Sequence, residues 1–169
     1  FTKCLSDEWV YSEPSGKGPD DRWARFVCVR SAELARNWLA YWDGVAYEET
    51  MRGLTPEMVA PLYKKMYWDV VKGDQLPDGV DYCVFDVAVN SGPTKAIKLL
   101  QNAVGTPQTG QISDRDVQLA NNADLQDLIT KICNERLVFL QSLNTWATFG
   151  KGWSNRVAYV QKTATKMLS

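Results

Sequence analysis

Apolar positions recur at helical spacing along most of the chain. Ser31 fits the cap of a segment carrying Leu34, Trp38, Leu39 and Trp42 at intervals of three and four, with the Trp38/Trp42 pair read as core. Thr55-Pro56-Glu57 is a start signal: a capping hydroxyl, a proline at the first helical position, then an acid near the positive dipole end. Val59, Leu62, Tyr63, Met66 and Tyr67 mark the buried stripe of that helix, and Gly73 lies just past its expected end. Asp81–Asn90 carries Val84, Phe85, Val87, Ala88 and Val89, apolar nearly all round, and predicts a buried central helix.

Gly92-Pro93 breaks that helix and opens the next, whose apolar positions are Ala96, Ile97, Leu99, Leu100 and Val104 and whose terminator is Gly105. A short helix follows Ser113. Asp124 caps a long one running through Leu128, Ile129, Ile132, Leu137, Val138, Leu140 and Leu143, and a final helix starts near Trp153 and passes Val157 and Val160 towards Met167. The N-terminal part is less regular. Phe1–Glu8 reads as the last turns of a helix, Ser12–Asp21 is a loop dense in Gly, Pro, Ser and Asp, and a short hairpin at Trp23–Val29 is the one strand signal. The expected fold is all-α, about seven helices. Residues 1–54 form an irregular N-terminal lobe and 55–169 a compact helical lobe.

Composition narrows the chemistry. The 169 residues, 45% hydrophobic and 23% charged with a mean hydropathy of -0.31, suit one soluble globular domain, or one domain in two lobes. With 19 basic and 20 acidic residues the chain lacks the basic excess of a nucleic-acid binder. It has no histidine, which excludes Ser-His-Asp and Cys-His catalysis and an HExxH zinc site, and leaves proton transfer chiefly to carboxylates. Cys4, Cys28, Cys83 and Cys133 have no CxxC spacing and read as buried free thiols, with a Cys4–Cys28 pairing left open; no metal and no cofactor are expected. No charged-then-apolar leader and no apolar run near 18 residues is visible, so neither a signal peptide nor a membrane span is expected, and a monomer is. From Gly150 onward Lys151, Arg156, Lys162 and Lys166 occur without an acid, either a solvated helix face or a basic face for an anionic cell wall or membrane.

Four segments in order carry a resemblance: Tyr63-Lys-Lys-Met-Tyr-Trp68, Val84-Phe-Asp-Val-Ala-Val-Asn-Ser-Gly92, Lys95-Ala-Ile-Lys-Leu-Leu-Gln101 and Phe149-Gly-Lys-Gly-Trp-Ser-Asn-Arg156. Together they resemble the family-108 glycoside hydrolases, phage and bacterial lysozyme-like muramidases with a C-terminal predicted peptidoglycan domain. The resemblance is good over roughly residues 55–160. It implies a lysozyme-like fold with a sugar-binding cleft between two lobes, peptidoglycan glycan strands as substrate, and action at the bacterial cell wall after release by a phage holin or delivery by a virion or secretion machine. The family's chemistry lies near its N-terminus, in a helix ending E-G-G-Y and a following D-P-G-G-A-T-N-Y-G-I-T. Leu5–Ser12 keeps the Glu and the Tyr of the first motif as Glu8 and Tyr11. Of the second, Asp20 and Ala24 remain, and Val29 is similar. The glycine pair after the Glu has become Trp9 and Val10, the glycine pair of the second motif has become Arg22 and Trp23, and its threonine has become Arg25.

Cleaving a glycosidic bond needs a proton delivered to the leaving oxygen and, usually, a second carboxylate. The resemblance makes Glu8 the general acid, with apolar neighbours Trp9, Val10 and Tyr11 available to raise its pKa. Asp20 or Asp21 is the candidate second carboxylate, at about 6.5–9.5 Å for an inverting arrangement. Trp9, Tyr11 and Trp23 are candidate sugar contacts, joined by Asp86 and Asn90, one turn apart on the central helix, and by Ser91. Two classes of function follow. One is a peptidoglycan hydrolase acting through Glu8. The other is a catalytically lapsed or engineered scaffold whose Trp9/Trp23/Arg25 rim binds a protein or other ligand, because bulky residues at glycine positions rebuild or fill a loop.

Overall fold

A computed structural model describes residues 56–168. The chain divides into two compact units, Thr2–Pro61 and Leu62–Ser169, and the second holds nearly all the described residues. Its architecture is helical throughout, with no strand among the described residues. The elements are α1 (Pro56–Tyr63), a π turn (Lys64–Trp68), a 3-10 turn (Gly73–Gln75), α2 (Val80–Ser91), α3 (Pro93–Val104), α4 (Asp114–Asn121), α5 (Leu125–Gln141) and α6 (Trp146–Lys166). The hairpin expected at Trp23–Val29, the loop at Ser12–Asp21 and the helix after Ser31 lie outside the described residues.

α2 is the axis of the unit. It packs against α3, α5, α6 and both short turns, and its residues from Tyr82 to Val89 are all buried. A segment this apolar has no solvent face to offer, so neighbours must surround it. Gly92 then turns the chain with φ +91° and ψ 149°, a conformation that only glycine adopts at low cost, and Pro93 starts α3 with its φ preset. α3 ends on Gly105 in the left-handed region, where Thr106 N donates to Gln101 O at 2.8 Å and satisfies an orphan carbonyl.

α2 and α5 run in the same direction in register. Cys83 Sγ lies 3.9 Å from Cys133 Sγ, and one turn later Asp86 pairs with Arg136. A Cβ at Gly79 would stand 3.1 Å from Ile129 Cδ1, one turn earlier. Each pair is offset by 50 positions, the separation of the two cysteines. The steps of four and three residues are those of a helix seam packed knobs into holes.

Two boundaries differ from the sequence pattern. The helix begun at Pro56 does not stay α up to Gly73: Asp69 N reaches back to Lys64 O at 2.8 Å, a π turn. The extra residue rotates the stripe, so that Trp68 is 2% exposed while Met66 is only half-buried. Trp68 then lies edge-on to Phe85, donates its indole N–H to Asp74 Oδ1 at 2.7 Å, and covers Gly73, where a Cβ would come within 2.4 Å of the ring. The last helix begins at Trp146, not near Trp153. Gly150, a helix breaker on propensity, sits beneath the Trp146 ring, 2.7 Å from where its Cβ would be, so the glycine admits the indole onto the helix surface.

The loop between α3 and α4 is tied down by side chains. Gln101, buried on α3, donates to Thr109 Oγ1, Gln111 O and Asp116 Oδ2 at 3.0–3.1 Å and accepts from Gly110 N at 3.0 Å. Ser113 and Asp116 form a capping box at the start of α4. Burial alone would raise the Asp116 carboxyl, but hydrogen bonds from Thr106, Ser113 and Gln101 hold it below the ordinary value.

Candidate functional site

Asp86 is a charged residue in the middle of the apolar helix α2, 2% exposed. A buried carboxylate requires a charged or hydrogen-bonding partner, and two guanidiniums supply it. Arg156 of α6 donates from Nε to Asp86 Oδ1 at 2.8 Å and from Nη2 to the same oxygen; Arg136 of α5 pairs through Nη1 with Oδ2. The cluster therefore clamps α2, α5 and α6 together at one level. Arg136 Nε is buried with no hydrogen-bond partner among the described residues.

A pocket of about 220 Å³ opens at the C-terminal end of the α2/α5 seam. Its polar lining is Asn90, Ser91, Arg136 and Arg156, and its apolar lining is Phe139, Leu140, Leu143 and Trp153. Asn90 is held by its own helix, donating from Nδ2 to Asp86 O at 2.8 Å. Trp153 belongs to an aromatic group, its ring centroid 5.7 Å from Phe149 and 6.2 Å from Trp146. Phe149 is 46% exposed, so this group reaches the surface. Mixed aromatic and hydrogen-bonding linings of this kind suit a small polar ligand with an apolar face.

Asp86 does not line the pocket. Its carboxylate is occupied by Arg136 and Arg156, and its contribution is to hold their guanidiniums in place. Asn90 and Ser91 are brought together at the pocket. Glu8, Trp9, Tyr11, Asp20, Asp21, Trp23 and Arg25 lie outside the described residues. Of the basic positions after Gly150, Lys151, Lys162 and Lys166 are exposed, whereas Arg156 is buried against Asp86 and contributes nothing to a charged surface. Arg136 was not singled out by sequence, and Phe149 and Trp153 of α6 entered only as members of the Phe149–Arg156 motif, without a site role. An arginine amid Ile132, Cys133 and Leu140 implies a buried acid opposite, and Asp86 was the acid available.

No group of three or more potential metal ligands occurs among the described residues, and none of their helices is long and apolar enough to cross a membrane. Cys83 and Cys133 are free and buried.

The fold and this site define an all-α, lysozyme-like protein. The structure of SagA from Brucella abortus is similar, with 36% sequence identity, a TM-score of 0.67, and alignment over 76% of this chain and 75% of that one. The sequence profile of glycosyl hydrolase 108 matches residues 30–92. The chain belongs to the glycosyl hydrolase 108 family, and its general class is that of a cell-wall hydrolase. No curated protein matches it.

Proposed function

We propose that the protein is an N-acetylmuramidase that cuts the glycan backbone of peptidoglycan in the manner of an endolysin, with Glu8 as general acid. Membership of a glycoside hydrolase family carries this reading. In a chain without histidine, a carboxylic acid is the natural proton donor to the leaving oxygen, and Glu8 stands where the family motif has its acid. Asp20 or Asp21 activates the water or stabilises the cation-like sugar. Trp9, Tyr11 and Trp23 stack on or hydrogen-bond to the sugars, and Asn90 and Ser91 contribute polar contacts from the pocket on α2, with Asp86 as positioning residue behind the guanidiniums.

A second reading is favoured by where the family match begins. It starts at residue 30, after Glu8, Asp20 and Asp21, so the segment that would carry catalysis is the divergent one. On that reading the scaffold has lapsed catalytically or been engineered, and the Trp9, Trp23 and Arg25 rim holds a protein or other ligand.

Clearing of a suspension of purified bacterial cell walls separates the two. The hydrolase reading expects lysis, with release of reducing sugar, that falls by about a hundredfold or more in Glu8→Gln, the scale of a lost general acid. Equal lysis in both proteins removes Glu8 from the mechanism, and no lysis by either leaves the binding reading.

A further inference from the structure

We propose that Cys83 and Cys133 are a latent disulfide site that, when oxidised, locks α2 to α5. The two sulfurs face each other at 3.9 Å across the helix seam, van der Waals contact between atoms on elements 50 positions apart in sequence. Both residues are almost completely buried, at 1% and 2% exposure. Both are free, and neither belongs to a group of three or more potential metal ligands among the described residues. Cys83 lies in the first turn of α2 and Cys133 at the middle of α5, with Gly79 opposite Ile129 one turn before and Asp86 paired with Arg136 one turn after. The seam is therefore held in register on both sides of the sulfurs, and the bond can form by a small approach of two side chains without either helix sliding.

The chemistry needs a partner disulfide, from a small molecule or a thiol–disulfide oxidoreductase. One cysteine thiolate attacks a sulfur of that disulfide and expels a thiolate, which takes up a proton. The second cysteine thiolate attacks the mixed disulfide at the protein sulfur and expels the other thiolate. The protein pair gives up two electrons and two protons, and the partner disulfide becomes two thiols. The contact with Cys133, together with burial, pushes the Cys83 thiol well above its ordinary value, while the same contact lowers that of Cys133; burial of both sulfurs keeps an outside disulfide from reaching them while the seam is closed. Exchange occurs before the seam closes during folding, or in its openings afterwards. The pocket of Asn90 and Leu140 lies two turns further along the same seam, so the cross-link also stiffens two of its walls.

The test uses the full chain with Cys4→Ser and Cys28→Ser, which leaves the two core cysteines. The protein is refolded in a mixture of oxidised and reduced glutathione. The expected product has no thiol titratable in denaturant, a mass lower by two hydrogens, and a cross-linked peptide joining the segments of Cys83 and Cys133. Its melting midpoint lies about 5 °C or more above that of the reduced protein, because the cross-link closes a long loop in the unfolded chain, and the gain disappears with reductant and in Cys133→Ala. Two thiols still titrating, or a glutathione adduct on either cysteine without the cross-linked peptide, overturns the proposal. Should the double serine variant not fold, peptide mapping of the wild-type chain after the same refolding gives the same decision: a peptide joining Cys83 to Cys133 upholds the site, and its absence overturns it.

Discussion

Asp86 on α2 and Arg136 on α5 face each other one helical turn beyond the Cys83–Cys133 contact, and Arg156 of α6 closes on the opposite carboxylate oxygen. Three helices are thus fixed at a single level by one acid. Removing that acid leaves two guanidiniums in a largely apolar setting. Loss of one member of a buried ionic cluster costs about 3–5 kcal/mol. Asp86→Asn is therefore expected to lower the free energy of unfolding in urea by an amount in that range, with the transition midpoint falling and the slope unchanged. A loss under about 1 kcal/mol would mean that the cluster contributes far less than its burial implies.

Asn90 is exposed and bonded only within its own helix among the interactions described, yet it lines the pocket. Asn90→Ala is expected to leave unfolding within about 0.5 kcal/mol of the wild type. If the pocket holds part of the substrate, one lost hydrogen bond raises KM for cell-wall fragments by roughly threefold to tenfold, with kcat nearly unchanged. Steady-state kinetics on solubilised glycan fragments reads both, and an unchanged KM would take Asn90 out of the site.

Asp116 gives a pH dependence with a defined sign. Its folded-state value lies below the ordinary 3.8, because the hydrogen bonds from Thr106, Ser113 and Gln101 outweigh burial. A depressed carboxyl contributes stability that is present above the unfolded-state value and lost as the pH falls through the folded one. Asp116→Asn is expected to cost about 1 kcal/mol at neutral pH through the weakened capping box. The gap between variant and wild type should narrow as the solution is acidified below pH 3.8. Thermal melts at a series of pH values between neutral and strongly acidic would show it; a gap that stays constant would contradict the assignment.

Much of the fold was legible because it is written in local chemistry. The apolar residues from Val84 to Val89, interrupted only by Asp86, read as a buried helix, and the segment is one. Gly92-Pro93 and Gly105 mark real helix ends because they act through backbone conformation, which needs no distant partner. Ser113 and Asp124 cap helices through bonds to the backbone three residues on, at 3.2 and 2.8 Å. The start of the last helix, expected near Trp153 and found at Trp146, had the opposite origin. Glycine has a poor helix propensity, but the space above Gly150 is filled by Trp146, a packing relation that overrides propensity. The same holds for the π turn, where burying Trp68 against Phe85 outweighs regular hydrogen bonding.

The candidate site was legible only in part. Asn90 stood out by its one-turn spacing from Asp86, whereas Arg136 did not stand out, since it lies far in sequence from its partner Asp86. By itself the sequence determined the helical class, most helix ends and the absence of histidine chemistry. All of these depend on residues near each other in the chain or on composition alone. Only the tertiary structure decided that α2 and α5 run in register, that Cys83 meets Cys133, and that Asp86 serves two arginines. Those are contacts between segments 50 and 70 residues apart, which become neighbours only when burial of apolar surface brings the helices together.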